Sequence, residues 1–367
     1  MINRVRYQAE EGTPSRTVAE QAEGEGARLI EAIDRKAEQI LTAHEFSATG
    51  MFEGDPATYH GQRPVTIPDE PVAEAIATCQ ARVNVDGDLS ENPVPYEAPE
   101  CTVNISIDDV GVKRQKAERD VQDQSADERE REQETEQKIE KKTEKRKRKY
   151  VHTTVIHAEK DDQSSIVIGH GLKHVLSLLI ALLVNSECLR YRFQFFTDGY
   201  TILHEAIRRC FSWYSNLAII LDWYHLEEKC KMQLSLAMTG RVIRNEVLTE
   251  LLPLLWYGLV DHAIAFIKTL DPSQIKDPDA ITKLIGYFER NRAHIPCYAV
   301  RKELGLRNSS NIGEKMNDLV VSDSQKHNGM SWSVSGSVAL ASLTALARNN
   351  ESALWFEEGN IEFKLAA

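Results

Sequence analysis

Two short apolar runs, each halted by an aspartate, constrain this chain more than anything else in it. The first is Phe193-Gln-Phe-Phe-Thr-Asp-Gly199 and the second ends in Leu221-Asp-Trp-Tyr-His225. Runs of this length, rich in aromatic and β-branched residues, read as buried strands. Between them Ile202, Leu203, Ala206, Ile207 and Cys210 recur at helical spacing, so the unit reads strand–helix–strand. An aspartate closing such a strand lies at the carboxyl edge of the sheet, where open α/β sheets take their ligands. The question for the rest of the chain is which other acids join Asp198.

The segments ahead of this unit supply more strands. Val103, Ile105 and Ile107 alternate with Thr102, Asn104, Ser106 and Asp108, a period of two that predicts a strand ending in the pair Asp108-Asp109. Val151–His157 and Ser165–Gly169, separated by polar residues 159–163, predict a hairpin. A helix is predicted over 173–185, and further helices over 226–238, 241–304, 312–321 and 334–347. The block 241–304 is broken at Pro253, Pro272, Pro278 and Pro296. Three antiparallel strands followed by two strands with intervening helices is the RNase H-like plan. The expected fold class is therefore α/β: an RNase H-like mixed sheet with a helical insertion before its last catalytic helix, plus a partly helical N-terminal region.

The domain boundaries follow. Residues 1–100 form the N-terminal region, with 1–19 expected to be disordered, helical stripes at 27–42 and 72–81, and a Pro-rich linker at 92–99. Residues 101–240 form the core and contain a charged insertion, 113–149, that cannot bury a core of its own and ends in Lys145-Arg-Lys-Arg-Lys149. The helical insertion spans 241–308, the last catalytic helix and a closing helix span 309–350, and 351–367 is a tail.

Composition narrows the partners. The formal net charge is −12, which by itself argues against nucleic acid. The acidity is concentrated, however: residues 1–110 hold 8 Lys and Arg against 21 Asp and Glu, and the remainder holds 36 against 35. The part carrying the strand–helix–strand unit is balanced and leaves DNA open. No apolar run approaches the roughly 20 residues of a membrane helix. Six cysteines without a C-x-x-C pair suggest a reducing, cytoplasmic setting.

Phosphoryl transfer with two metals needs about three carboxylates converging on Mg²⁺ ions about 3.5–4 Å apart. Asp108, or its neighbour Asp109, and Asp198 would end adjacent strands, with Asp108 preferred because the apolar alternation stops directly before it. A third acid must come from a helix facing that edge. Glu314 is the candidate and Asp318, one turn on, its rival.

The ordered set Asp108-Asp-Val-Gly-Val-Lys-Arg-Gln-Lys116, Thr197-Asp-Gly199, Asp222-Trp-Tyr-His225 and Gly313-Glu-Lys315, with Gln325-Lys-His-Asn-Gly-Met-Ser-Trp-Ser333, resembles the DDE transposases of prokaryotic insertion sequences, relatives of the Mutator-like superfamily. The resemblance covers roughly 100–347. It implies Asp108, Asp198 and Glu314 as catalytic, metal-binding residues, with spacings of 90 and 116 residues. It places Asp222 and His225 in an Asp-x-x-His motif near the site, and Gln325, Lys326 and Trp332 near DNA.

It further implies Mg²⁺ (or Mn²⁺) as cofactor, and as partners the element's own ends and target DNA, bound by a homo-oligomer. A cytoplasmic, nucleoid-associated location goes with these partners. Lys113, Arg114, Lys116 and the 145–149 run would add electrostatic DNA contact. Asn308-Ser-Ser-Asn311 departs from the family's glycine-rich approach to its glutamate, and no DNA-reading module is visible in residues 1–100. The alternatives are a catalytically inactive DNA-binding relative and a metal-dependent nuclease without strand transfer.

Overall fold

A computed structural model describes residues 15–55, 69–83, 87–115, 149–326 and 331–365, without the side chains of 15–20, 311, 312 and 314. In chain order the main elements begin with α1 (Ser15–Ala43), α2 (Asp69–Gln80), β1 (Thr102–Lys113), β2 (Tyr150–Lys160) and β3 (Gln163–Gly169). Next come α3 (Leu172–Asn185), β4 (Arg192–Thr197), α4 (Thr201–Cys210), β5 (Leu217–Leu221) and α5 (Trp223–Ala237). A helical block comes after them: α6 (Arg241–Trp256), α7 (Val260–Lys268), α8 (Pro278–Asn291) and α9 (Tyr298–Glu303). The chain closes with α10 (Asn311–Asn317), α11 (Val334–Arg348) and α12 (Ser352–Glu358). α10 does not stop at Asn317 but runs through a π-helical step, Asp318–Ser322, into a last α turn, Asp323–Gln325.

The fold is α/β, built on a five-stranded mixed sheet of order β3-β2-β1-β4-β5. β1, β2 and β3 pair antiparallel, while β1–β4 and β4–β5 are parallel. The alternation read in the sequence sends Val103, Ile105 and Ile107 to one face, where they join Phe193, Phe195 and Ile219 under α1, α3 and α4. The opposite face is shared. On the β2–β3 side Val110, Val112, Val155 and Ile168 pack on Val320, Val321, Val338 and Ala341. On the β4–β5 side Phe196 and Ile220 pack on α5 and the helical block. Among the described residues no helix is long and apolar enough to cross a membrane.

Several boundaries differ from expectation. β1 does not end at its aspartates but continues to Lys113, because β2 pairs with it from Asn104 to Lys113. α1 starts at Ser15 rather than near residue 27. It belongs to the main core through Leu29, Ala37, Ile40 and Leu41, and Gly26 lets it approach Ala339 of α11 so closely that a Cβ would not fit. The 92–99 stretch is packed rather than a free linker: Val94 and Ala98 are buried, and buried Glu97 accepts two bonds from Arg192, at 2.9 and 2.8 Å. The tail packs on the body of the protein, with Ile361, Phe363 and Leu365 in the main core. Asn349 protects the outer edge of β3, its amide accepting from Ile166 N and donating to Ile166 O at 2.8 and 3.0 Å. An edge strand left bare would invite pairing with another chain.

Candidate active site at the carboxyl edge of the parallel strands

The register of the parallel strands places the aspartates. β1 and β4 pair from Thr102 opposite Arg192 to Ser106 opposite Phe196, and two residues beyond lie Asp108 and Asp198. β4 and β5 pair up to Thr197 opposite Leu221, and one residue beyond lie Asp198 and Asp222. Three aspartates thus stand in one row across three strands. Two of them, Asp108 and Asp198, border a cleft lined also by Asp109, His225, Ser310 and Asn317 that holds about 120 Å³, room for several waters or a hydrated ion.

Asp108 is exposed on the cleft and held at both oxygens. Its Oδ1 accepts from the backbone N–H of Asp109 at 2.8 Å, and its Oδ2 from the Asn317 amide at 2.8 Å. Burial of part of its surroundings pushes its carboxyl above the ordinary range. The Asp109 N–H and the His225 imidazole pull it back, while the charges of Asp109 and Asp198 raise it again. Asp109 leans instead towards β2, where Thr154 Oγ1 donates to it at 2.6 Å. That difference favours Asp108 over Asp109 as the group presented to a ligand.

Asp198 is also exposed. Its Oδ1 accepts from Tyr200 N at 2.9 Å, and Gly199 takes φ 85°, a left-handed conformation that costs glycine little. The helical block supports this turn. Tyr287 of α8 donates its hydroxyl to Asp198 O at 3.0 Å, and Asn291 lies where a Cβ on Gly199 would meet it. Behind the turn Thr197 Oγ1 and His204 Nε2 are 2.7 Å apart, and Arg208 reaches His294 Nε2 at 2.8 Å.

Asp222 is buried and acts as a clasp. One oxygen caps α5, accepting from Tyr224 N at 2.8 Å and His225 N at 3.3 Å. The other accepts from Ser310 N at 2.5 Å and Ser310 Oγ at 2.7 Å. The clasp ties the end of β5 to the residue that opens α10, and sets His225 of the first turn of α5 at the cleft.

Glu314 lies on α10, next to Gly313, which packs on Ser106 so tightly that a Cβ would overlap the serine oxygen. The Glu314 side chain lies outside the described residues. Its rival Asp318 is exposed at the start of the π step. Among the described residues no three His, Cys, Asp or Glu side chains group as a metal site. Asp108, Asp109 and Asp198 are the exposed carboxylates at this cleft, of the kind that suits a hard cation, since such ions favour oxygen ligands and keep much of their water.

The residues expected at DNA divide. Lys113, Arg114 and Lys326 are exposed, as is Lys149 at the end of the basic run. Lys116 and residues 145–148 lie outside the described residues. Gln325 is a correction: it is fully buried, its amide donates to Ser337 O at 2.9 Å and accepts from Ser337 Oγ at 2.6 Å, and it has no surface to offer DNA. Trp332 is half-buried, its indole N–H donating to Gln325 O at 3.0 Å and its backbone bridging Lys113 and Gln115. Sequence reasoning missed Asn317 and Ser310. Their one signal is position: Ser310 opens the helix predicted to carry the third acid, and Asn317 comes one turn after Gly313. No family model, curated protein or solved structure matches this chain.

Proposed function

We propose that this protein is a DDE transposase with an RNase H-like core, cleaving and joining DNA at the ends of its own insertion sequence with Mg²⁺ or Mn²⁺. One observation carries the reading: Asp108 and Asp198 stand level on adjacent parallel strands, and the helix bearing Glu314 runs alongside β1. The strand order β3-β2-β1-β4-β5, antiparallel in its first three strands, supports the RNase H-like plan.

The residues present suit a divalent cation. Three exposed carboxylates, Asp108, Asp109 and Asp198, border one cleft, and the charges of Asp109 and Asp198 act on Asp108 in a way that a cation would relieve. Asp108 and Asp198 would hold it, with Glu314 the third carboxylate that the resemblance implies. When bound, such a metal activates water or a 3′-hydroxyl and stabilises the leaving oxygen of the phosphodiester.

The chain's own part is positioning. The Asp109 N–H and Asn317 fix Asp108, the Tyr200 N–H fixes Asp198, and the Asp222–Ser310 clasp holds α10 to the sheet. Lys113, Arg114 and Lys326 provide exposed cations for phosphate, and their contribution would fall with salt. The working form would be a homo-oligomer on DNA.

The test is cleavage of a plasmid bearing the gene's own flanking DNA in Mg²⁺, wild type beside Asp198→Asn. Cuts at the element ends, abolished in a variant that folds and binds DNA as before, are expected. Retained cleavage in Asp198→Asn would remove the metal-ligand role. Binding without any cut in Mg²⁺ or Mn²⁺ would point to an inactive relative, and cutting without joining to a nuclease.

A further inference from the structure

α10 and β1 run side by side at matched spacing. Gly313 meets Ser106, Asn317 bonds Asp108, and Val321 packs with Val110 and Val112. Four helical residues advance about 6 Å and two strand residues about 6.6 Å, so each four-residue step on the helix keeps pace with the next residue on one face of the strand. An ideal α-helix would drift by about 40° at each such step and carry its contacts off the strand. The wider turn of the π step at Asp318–Ser322 takes back part of that drift. The buried stripe therefore continues from Gly313 and Asn317 to Val321 and Gln325.

We infer that Asn317 is a positioning residue for Asp108, its amide orienting the carboxylate to receive a divalent cation, and that the Asp222 clasp and the π step put it there. Each oxygen of Asp108 accepts one fixed donor, Asp109 N on one side and Asn317 Nδ2 on the other, both at 2.8 Å. A carboxylate oxygen has a second lone pair, so both oxygens keep capacity for a cation while their orientation is set. Asn317 is itself 7% exposed, so its rotamer is constrained by packing. The inference rests on the reading of Asp108 and Asp198 as metal ligands, and not on the identity of the DNA substrate.

Isothermal titration of the full chain with Mn²⁺ alone, in wild type, Asn317→Ala and Asn317→Leu, tests it. Leucine keeps much of the volume and removes the donor. Both variants should bind Mn²⁺ about tenfold more weakly, the usual cost of losing an outer-shell partner. They should raise the Mg²⁺ needed for half-maximal cleavage by a similar factor. Mn²⁺ affinity unmoved in both variants, or restored by leucine, would overturn the inference, as would a wild type that binds no Mn²⁺. A wild type that binds Mn²⁺, loses it in both variants and yet never cuts DNA would remove the transposase reading and leave the role of Asn317 standing.

Discussion

Asp198 and Asp222 close consecutive parallel strands in sequence settings that look alike, and their circumstances are opposite. Asp198 is exposed, with one backbone N–H on its carboxylate and a left-handed glycine after it. Asp222 is 1% exposed and accepts four bonds, two from the turn that begins α5 and two from Ser310. An apolar strand stopped by aspartate marks a place on the sheet edge. Whether the carboxylate then serves a ligand or the fold is decided by the turn after it and by the groups that cover it.

The contrast can be broken most directly by truncating each carboxylate. Asp222→Ala removes a helix cap and leaves buried donors without partners, and should cost about 3 kcal/mol. Asp198→Ala should cost less than about 1 kcal/mol, as expected at an exposed site. Denaturant unfolding measures both, and equal losses would undo the distinction.

A second test uses acid, since the support behind Asp198 is titratable. His204, buried beside Thr197, is pushed by burial from 6.5 to about 4, and burial likewise lowers His294, with the Arg208 charge adding to the effect on both and His294 itself acting on His204. These groups are neutral when folded, and the unfolded chain takes up protons first as pH falls below 6.5. Stability should therefore drop by about 2 kcal/mol between pH 6.5 and 4 and draw no further loss from His204 below that. Unfolding measured across that window should show a shallower slope in His204→Gln. An unchanged slope would take the histidine out of the account. A further effect is local: Gly199→Ala, at φ 85° and with the Asn291 amide about 3.0 Å from the new Cβ, should cost about 1 kcal/mol. A neutral result would mean that the turn tolerates a side chain and that its support is looser than the contacts imply.

The strands were legible because periodicity is local. Val103, Ile105 and Ile107 alternate over a few residues, and the 193–199 and 217–225 runs are bounded by their own aspartates. The spacing of 90 residues between Asp108 and Asp198 is also the offset of the β1–β4 pairing, from Thr102 opposite Arg192 to Ser106 opposite Phe196. The features that stayed hidden depend on partners distant in sequence. β1 outruns Asp109 because β2 pairs with it to the end. Gln325 reads as a polar surface residue until Ser337 is folded back over it. Asn317 is one polar residue on a helix until the register of α10 against β1 brings it to Asp108. The buried face of residues 21–55 shares its core with α11 and the 361–365 segment, which no local pattern connects to it.

That last arrangement has a bearing on how the protein is made. α1 is translated well before its partner α11 and before Ile361, Phe363 and Leu365, which share its core. Until those segments leave the ribosome, Leu29, Ile40 and Leu41 lack part of their cover and the β3 edge lacks Asn349. Exposed apolar surface and an unpaired strand are what make incomplete chains sticky. Completion of this core is thus a late event in synthesis, and a chain stopped before residue 334 would be expected to bind chaperones or aggregate rather than persist as a smaller folded unit.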